Sequence, residues 1–206
     1  MSRVAASLAL LLIACSPSVQ PLKGVPTPSR SIPPLQLASG HRKIVFNWEF
    51  TDGDTFTRGD GAVRIAPPDS ARLDFFVGPL GGAAALVGDT LRARGGDLVR
   101  HFIPPVPLMW AALGRMAIPA LPETTTVVDG DLLRADIGRP PEWRVTASGD
   151  SLVSLDHIPG GKVVEYVHRA PNGEVVYDVP SARRRLRLTI THTEETGPFD
   201  SSIWNP

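Results

Sequence analysis

From residue 42 onward the chain meets a turn signal about every ten residues, and that spacing limits what it can become. Gly, Pro, Asp and Asn gather at "TDGDTF" (51–56), "PPDS" (67–70), "RGGD" (94–97), "DGD" (129–131), "SGDS" (148–151), "PGGK" (159–162) and "PNG" (171–173). The stretches between them are long enough for strands and too short for most helices. Arg42–Phe50 ("RKIVFNWEF") sets the pattern. Ile44, Phe46, Trp48 and Phe50 point one way, and Val45, Asn47 and Glu49 the other, as in a half-buried strand with one strongly apolar face.

The alternation continues. Val63 and Ile65 share a face in Ala62–Ala66, and Leu73, Phe75 and Val77 share one in Arg72–Val77. Ala84–Ala93 and Leu98–Ile103 read as a pair of strands around "RGGD". "TTTVV" and "LLRADI" flank Asp129-Gly130-Asp131 as a hairpin. Trp143–Ala147, Leu152–Ile158, Lys162–His168, Glu174–Val179 and Ala182–His192 complete the series. The Gly-Asp pairs recur without a fixed period, which argues for repeated turn usage and against a solenoid. The fold class expected is mainly β.

One stretch breaks the pattern: "PPVPLMWAALGRMAIP", residues 104–119. Pro107 suits the first turn of a helix, where its missing N–H costs nothing. Leu108–Ala117 then propagates, and Pro119 stops it. Leu108, Met109, Trp110, Leu113 and Met116 leave little polar surface on this helix, so it needs cover on more than one side. Two roles satisfy that need. The helix is a plug inside the core, or it is a lid over a concave sheet, where flexible methionines re-pack around different ligands.

The other end of the chain is an address. Met1–Arg3 is a short basic region, and residues 4–13 are a predominantly apolar run. Ten helical residues span about 15 Å, half a bilayer core, so the run has the length of a signal-peptide core and not of a membrane span. It ends in Leu12-Ile13-Ala14-Cys15, which resembles a bacterial lipobox. Cys15 is the only cysteine in the chain, so it forms no intramolecular disulfide. Residues 1–14 are therefore expected to be a lipoprotein signal peptide and Cys15 the lipidated first residue; an ordinary secretory signal without lipid is the alternative. Ser16 follows, and in the sorting rule of such signals this implies outer-membrane delivery. Six of the 26 residues from 16 to 41 are proline and none is Phe, Trp or Tyr, a composition that orders poorly on its own. Residues 15–41 thus read as the lipidated cysteine and a proline-rich tether, and 42–206 as one domain.

Enzyme chemistry has little to stand on. The five histidines are scattered and form no H-E-x-x-H pair, and no G-x-S-x-G elbow or phosphate-binding glycine loop occurs. "DGDTFTRGDG" (52–61) lacks the calcium-loop ligands, with Phe56 and Val63 where oxygen donors are required. No catalytic residue, metal site or cofactor is expected beyond the covalent lipid on Cys15. Formal charge is zero, which gives no general attraction to nucleic acid. Arg183, Arg185 and Arg187 alternate with Arg184, Leu186, Leu188 and Ile190 on the last strand. The arginine row reads as a solvated outer face, or as a basic stripe for anionic headgroups.

Four segments together resemble the LolA/LolB group of envelope carriers: "GAVRIAPPDSARLDFFV" (61–77), "GDTLRARGGDLVRHFIPP" (88–105), "EWRVTASGDSLVSLDHI" (142–158) and "RRLRLTI" (184–190). The resemblance implies a curved antiparallel sheet forming an unclosed half-barrel, with a short helical lid or plug. It implies an apolar cavity for acyl chains, with Phe46, Trp48, Leu73, Phe75, Val77, Met109, Trp110, Leu113 and Met116 as cavity and lid. Leu80 in "GPLGG" takes the place of an exposed apolar loop residue that inserts into membranes. The family's N-terminal helix has no counterpart in the proline-rich segment.

The function expected is a membrane-anchored, non-catalytic carrier or acceptor of lipid or acylated lipoprotein. It would sit on the periplasmic face of the outer membrane, with another envelope protein as a further partner. The alternative is a structural or adaptor lipoprotein with a solid core.

Overall fold

The computed structural model of the chain describes residues 17–28, 30–78, 80–95, 101–122 and 124–206. Its strands are β1 (Val25–Pro26), β2 (His41–Asp52), β3 (Thr55–Ala66), β4 (Ser70–Val77), β5 (Leu80–Val87), β6 (Thr90–Arg94), β7 (Thr124–Asp129), β8 (Leu132–Ile137), β9 (Trp143–Ser148), β10 (Ser151–His157), β11 (Glu165–Arg169), β12 (Glu174–Val179) and β13 (Arg184–Thr196). Among the described residues, one whole α-helix, α1 (Val106–Ala112), lies between β6 and β7. No helix among the described residues is long and apolar enough to cross a membrane.

All thirteen strands form one antiparallel sheet, in the order β1-β7-β8-β9-β10-β11-β12-β13-β2-β3-β4-β5-β6. Two meanders, β2–β6 and β7–β13, are thus joined side by side. The joint is β13 on β2, paired from Arg184 opposite Asp52 to Thr196 opposite His41. The sheet does not close, since β1 and β6 are its two edges.

The turn chemistry explains the tight hairpins. Gly53, Gly88, Gly130 and Gly149 all adopt positive φ near +55 to +60°, where a side chain would be strained. Gly88 corrects one expectation. The chain reverses at Gly88-Asp89, so residues 80–94 are a hairpin of β5 and β6 and not half of a longer pair. His101 and Phe102, expected at the end of a strand, have helical backbone.

Burial falls on one face. Phe46, Trp48 and Phe50 of β2, Leu73 and Phe75 of β4, and Val175 and Tyr177 of β12 are all buried toward the same interior. The sheet must curl to achieve this. β4 and β12 are four strand spacings apart, about 19 Å in a flat sheet. Residues of both nevertheless line one narrow crevice. Two glycines of β3 let the sheet bend. Gly61 lies opposite Phe46, and Gly59 opposite Trp48. A β-carbon at Gly61 would overlap the Phe46 ring and the Asp74 carbonyl; one at Gly59 would overlap the Phe76 carbonyl and the Trp48 ring. The rings of β2 therefore lie across the bare backbone of β3, a known device for sheet curvature.

The outer face carries paired charge. Asp74, almost fully buried, accepts from Arg64 and Arg72, and Arg72 also donates to the carbonyl of Ile203. Asp136 accepts from Arg144 through both oxygens, at 2.7 and 2.9 Å. The arginine row of β13 faces this side: Arg185 pairs with Asp178, and Arg187 lies near Glu49 and Glu174.

The segment before β2 is laid on the domain. Pro17 and Val19 exchange backbone hydrogen bonds with Val163 and Gly161, Arg144 donates to the Gln20 carbonyl, and Val25–Pro26 pairs with β7. Leu35 and Leu37 are core residues, so the packed body begins N-terminal to residue 42. Two leucines among the prolines supply the apolar anchor that composition obscures.

Two outcomes follow. Gly61→Val overpacks the Phe46 contact and is expected to cost about 2–3 kcal/mol, read as a lower urea midpoint with an unchanged slope. Asp156 is half-buried on the outer face. Burial pushes its carboxyl up to about 6, opposed by Arg144 and reinforced by Asp136. Between 3.8 and about 6 the folded chain keeps a proton that the unfolded chain has released. Stability from this group therefore grows as pH falls through that window, and the ionised form costs stability above it. Asp156→Asn should raise the urea midpoint at neutral pH and flatten the slope of stability against pH between 4 and 6.

Candidate ligand-binding crevice

The interior between the two meanders is covered by α1 and the residues leading into it. The helix is shorter than the sequence suggests. It starts with Pro107 in the first turn, as expected, but ends at Leu113, where Gly114 takes φ +95°. Pro119 is therefore not its terminator. Leu108, Met109, Trp110 and Ala111 are buried, and the helix rests on β10, β11 and β12.

Phe102 stands at the centre of an aromatic cluster. It is fully buried, with its ring centroid 4.9 Å from that of Phe75, 5.2 Å from Trp48 and 5.3 Å from Phe50. Phe46 packs edge-on against Phe75 at 5.8 Å. The cluster is one continuous aromatic seam along β2 and β4, stabilised by edge-to-face geometry as well as by burial.

Two narrow apolar crevices remain beyond the seam, beneath the C-terminal end of α1. One of about 20 Å³ lies among Phe75, Met109, Leu113, Tyr177 and Leu186. The other, about 80 Å³, lies among Ile44, Phe46, Val63, Leu113 and Ile190, with Arg42 and Arg169 at its edge. Leu73, Ala112, Leu113, Val175 and Leu188 line both, so the crevices are two parts of one seam under the helix.

Few polar contacts hold the cover. Trp110 Nε1 donates to the Gly88 carbonyl at 2.9 Å. Arg169 Nη1 donates to the Ala112 carbonyl at 2.6 Å, and Met116 N to the Leu35 carbonyl at 2.9 Å. His101 meets Asp52 at 2.6 Å at the entry to the segment. Arg115 lies over the Trp110 ring at 4.6 Å. On the inner face Tyr177 donates to Glu165 at 2.7 Å; burial and that bond push its phenol upward, so it stays neutral. Among the described residues no group of three His, Cys, Asp or Glu side chains is placed to hold a metal ion.

The residues singled out in the sequence fall into three groups. Phe46, Leu73, Phe75, Met109 and Leu113 line the crevices. Trp48 and Trp110 are buried beside them, each with its indole N–H on a carbonyl, while Val77 and Met116 pack at the margin of the core. Leu80 opens β5 opposite Val77, and its side chain lies outside the described residues, as do Cys15 and the segment 1–14.

Sequence reading missed Phe102, Arg42 and Arg169 as members of the site. Phe102 was hidden because "LVRHF" alternates like a strand. The two arginines sit three strands apart in the sheet, and no local pattern joins them.

No family model and no curated protein sequence matches the chain. Solved structures do. A LolA superfamily protein from Nitrosomonas europaea superposes with a TM-score of 0.51 over 84% of this chain and 93% of its own, at 7% identity. A domain assigned to outer membrane lipoprotein sorting, from Vibrio parahaemolyticus, gives 0.51 over 81% and 89%, at 6% identity. The chain has a LolA/LolB-like fold. In this chain that fold is one large unclosed antiparallel sheet with a helical cover on its inner face.

Phe102→Ala should cost about 3–5 kcal/mol, because the ring has three aromatic neighbours and the seam has no other group to replace it. Chemical denaturation measures this directly.

Proposed function

We propose that the chain is a non-catalytic carrier or acceptor of acyl chains in the bacterial envelope, held at the membrane by lipid on Cys15. The observation that carries the reading is the apolar seam beneath a short, lightly fastened helix. The LolA/LolB-like fold supports it, and so does the lipoprotein-sorting description of the Vibrio parahaemolyticus domain.

On this reading the small volumes belong to a closed form. Ligand pockets usually measure about 300–1,000 Å³, and even benzene needs a cavity of roughly 150 Å³. Crevices of about 20 and 80 Å³ hold no acyl chain until α1 and Phe102 move. The open cavity that the family resemblance implies is therefore absent from this form, and on the carrier reading the protein's own side chains occupy it. At about 24 cal/mol per Å³, a void of about 300 Å³ would cost roughly 7 kcal/mol, so an unoccupied interior refills with the protein's own side chains. An incoming chain of about 14 methylenes gains on the order of 10 kcal/mol by leaving water. That is comparable to the burial that Phe102, Leu108, Met109 and Trp110 give up, at about 1.5–3 kcal/mol each. Loading and release are then close to balanced, as a carrier requires.

A second reading has one observation in its favour. The close ring contacts of Phe46, Trp48, Phe75 and Phe102 are those of a finished core, as in an adaptor that binds a protein on its surface.

The full chain with Cys15→Ser separates the two. A carrier yields extractable lipid by mass spectrometry and binds the neutral probe N-phenyl-1-naphthylamine saturably. Leu113→Glu, which places a charge in both crevices, should weaken that binding at least about tenfold with the circular dichroism spectrum unchanged. Absence of both lipid and saturable binding overturns the carrier in favour of the adaptor. Detergent-phase partitioning of the wild type, lost in Cys15→Ser, tests the anchor.

A further inference from the structure

The larger crevice is lined mainly by apolar side chains and by two cations. Arg42 comes from β2 and Arg169 from the end of β11, and both line the same crevice as Ile44, Val63 and Ile190. Neither guanidinium has a carboxylate within ion-pair distance among the described residues. Arg169 donates only to the Ala112 carbonyl, and Arg42 to the Ala38 carbonyl at 3.3 Å. Arg42 Nε is buried with no hydrogen-bond partner. Glu195 is in register with Arg42 on the neighbouring strand, but it is exposed and makes no ion pair with it.

The outer face shows what the same fold does with similarly sheltered arginines. Arg64 and Arg72 share Asp74, and Arg144 has Asp136. Among the described residues the inner pair has no such carboxylate, and neither does Arg115, which rests on the Trp110 ring instead.

Two like charges lining one low-dielectric crevice are unfavourable unless an anion joins them. Arg169 registers this: burial, and then the charge of Arg42, lower its affinity for its proton. Gly114 is part of the same arrangement. A β-carbon there would press on the Arg169 guanidinium at 3.1 Å, so the glycine leaves the group its seat.

We propose that Arg42 and Arg169 bind the anionic headgroup, a carboxylate or a phosphate, of an acyl amphiphile whose tail runs beneath α1. The inference rests on the carrier reading and adds the class and orientation of the cargo. Guanidinium groups suit both headgroups, because their planar donors take two oxygens at once. The seam supplies affinity that is indifferent to chemistry, and the arginines supply selection.

A C12 series tests this with the full chain carrying Cys15→Ser, at about pH 8, where carboxylates are ionised. Dodecanoate, dodecyl phosphate and dodecanol compete against bound N-phenyl-1-naphthylamine. The anionic compounds should displace the probe at roughly tenfold lower concentration than dodecanol, the margin expected of charge-assisted hydrogen bonds. The better of the two identifies the headgroup.

Arg42→Gln and Arg169→Gln should each erode the preference, read as the ratio of displacement by the anionic compounds to displacement by dodecanol, and the double variant should bring that ratio to about one, whatever loss of the Arg169 bond to the Ala112 carbonyl does to all three compounds together. Arg42→Gln is the safer variant, since Arg42 makes only one long hydrogen bond and does not hold α1. Equal displacement by charged and uncharged compounds, or a preference that survives in the double variant, overturns the headgroup site and leaves the carrier standing. Failure of the probe to bind at all removes the carrier reading, and this inference with it.

Discussion

The contact between the β2 rings and the bare backbone of β3 is the constraint on which the rest of the architecture depends. A thirteen-stranded sheet that stayed flat would present one broad apolar face that a seven-residue helix could not cover. Gly59 and Gly61 remove the side chains that would stand between the Trp48 and Phe46 rings and the neighbouring strand. The rings drop onto the backbone, the sheet curls, and β4 comes to face β12. Only then is the inner space narrow enough for Phe102 and α1 to fill.

The two faces of the sheet solve opposite problems. On the outside, sheltered arginines sit on Asp74 and Asp136, and the buried Asp178 is met by the exposed Arg185. On the inside, aromatic and aliphatic groups exclude water, and the cations at the edge have backbone carbonyls in place of carboxylates. The outer face therefore pairs most of its sheltered arginines, with Asp156 left as a half-buried carboxyl beside Asp136, while the inner face retains unsatisfied cationic capacity beside a seam of small volume. The cover over that seam combines large apolar burial with only a handful of side-chain and backbone anchors. Such an element is held mainly by a non-directional force, which an acyl chain can substitute for.

Much of the strand pattern was legible in advance because each hairpin is specified locally. Alternation in "RKIVFNWEF" follows from the two-residue period of a strand, and Asp129-Gly130-Asp131 reverses the chain because Gly130 tolerates positive φ. The failures came where a local pattern is ambiguous. Leu98–Ile103 alternates like a strand, yet His101 and Phe102 are helical, because the cavity needs a ring at that point. The helix stops at Leu113 because Gly114 leaves the helical region, several residues before the proline expected to end it. Residues 17–41 have a composition that orders poorly alone, but the domain offers them a strand edge and a place in the core for Leu35 and Leu37.

By itself the sequence determined the β character, most hairpin turns, the apolar inner row of β2 and β4, and the isolated greasy helix. These are consequences of backbone geometry and of neighbours within a few residues. The tertiary structure alone decided how tightly the interior closes, that Phe102 is its plug, and that Arg42 and Arg169 share one crevice. Those outcomes depend on sheet curvature, which sums small rotations over many strands. Residues more than a hundred positions apart meet only after that sum is complete.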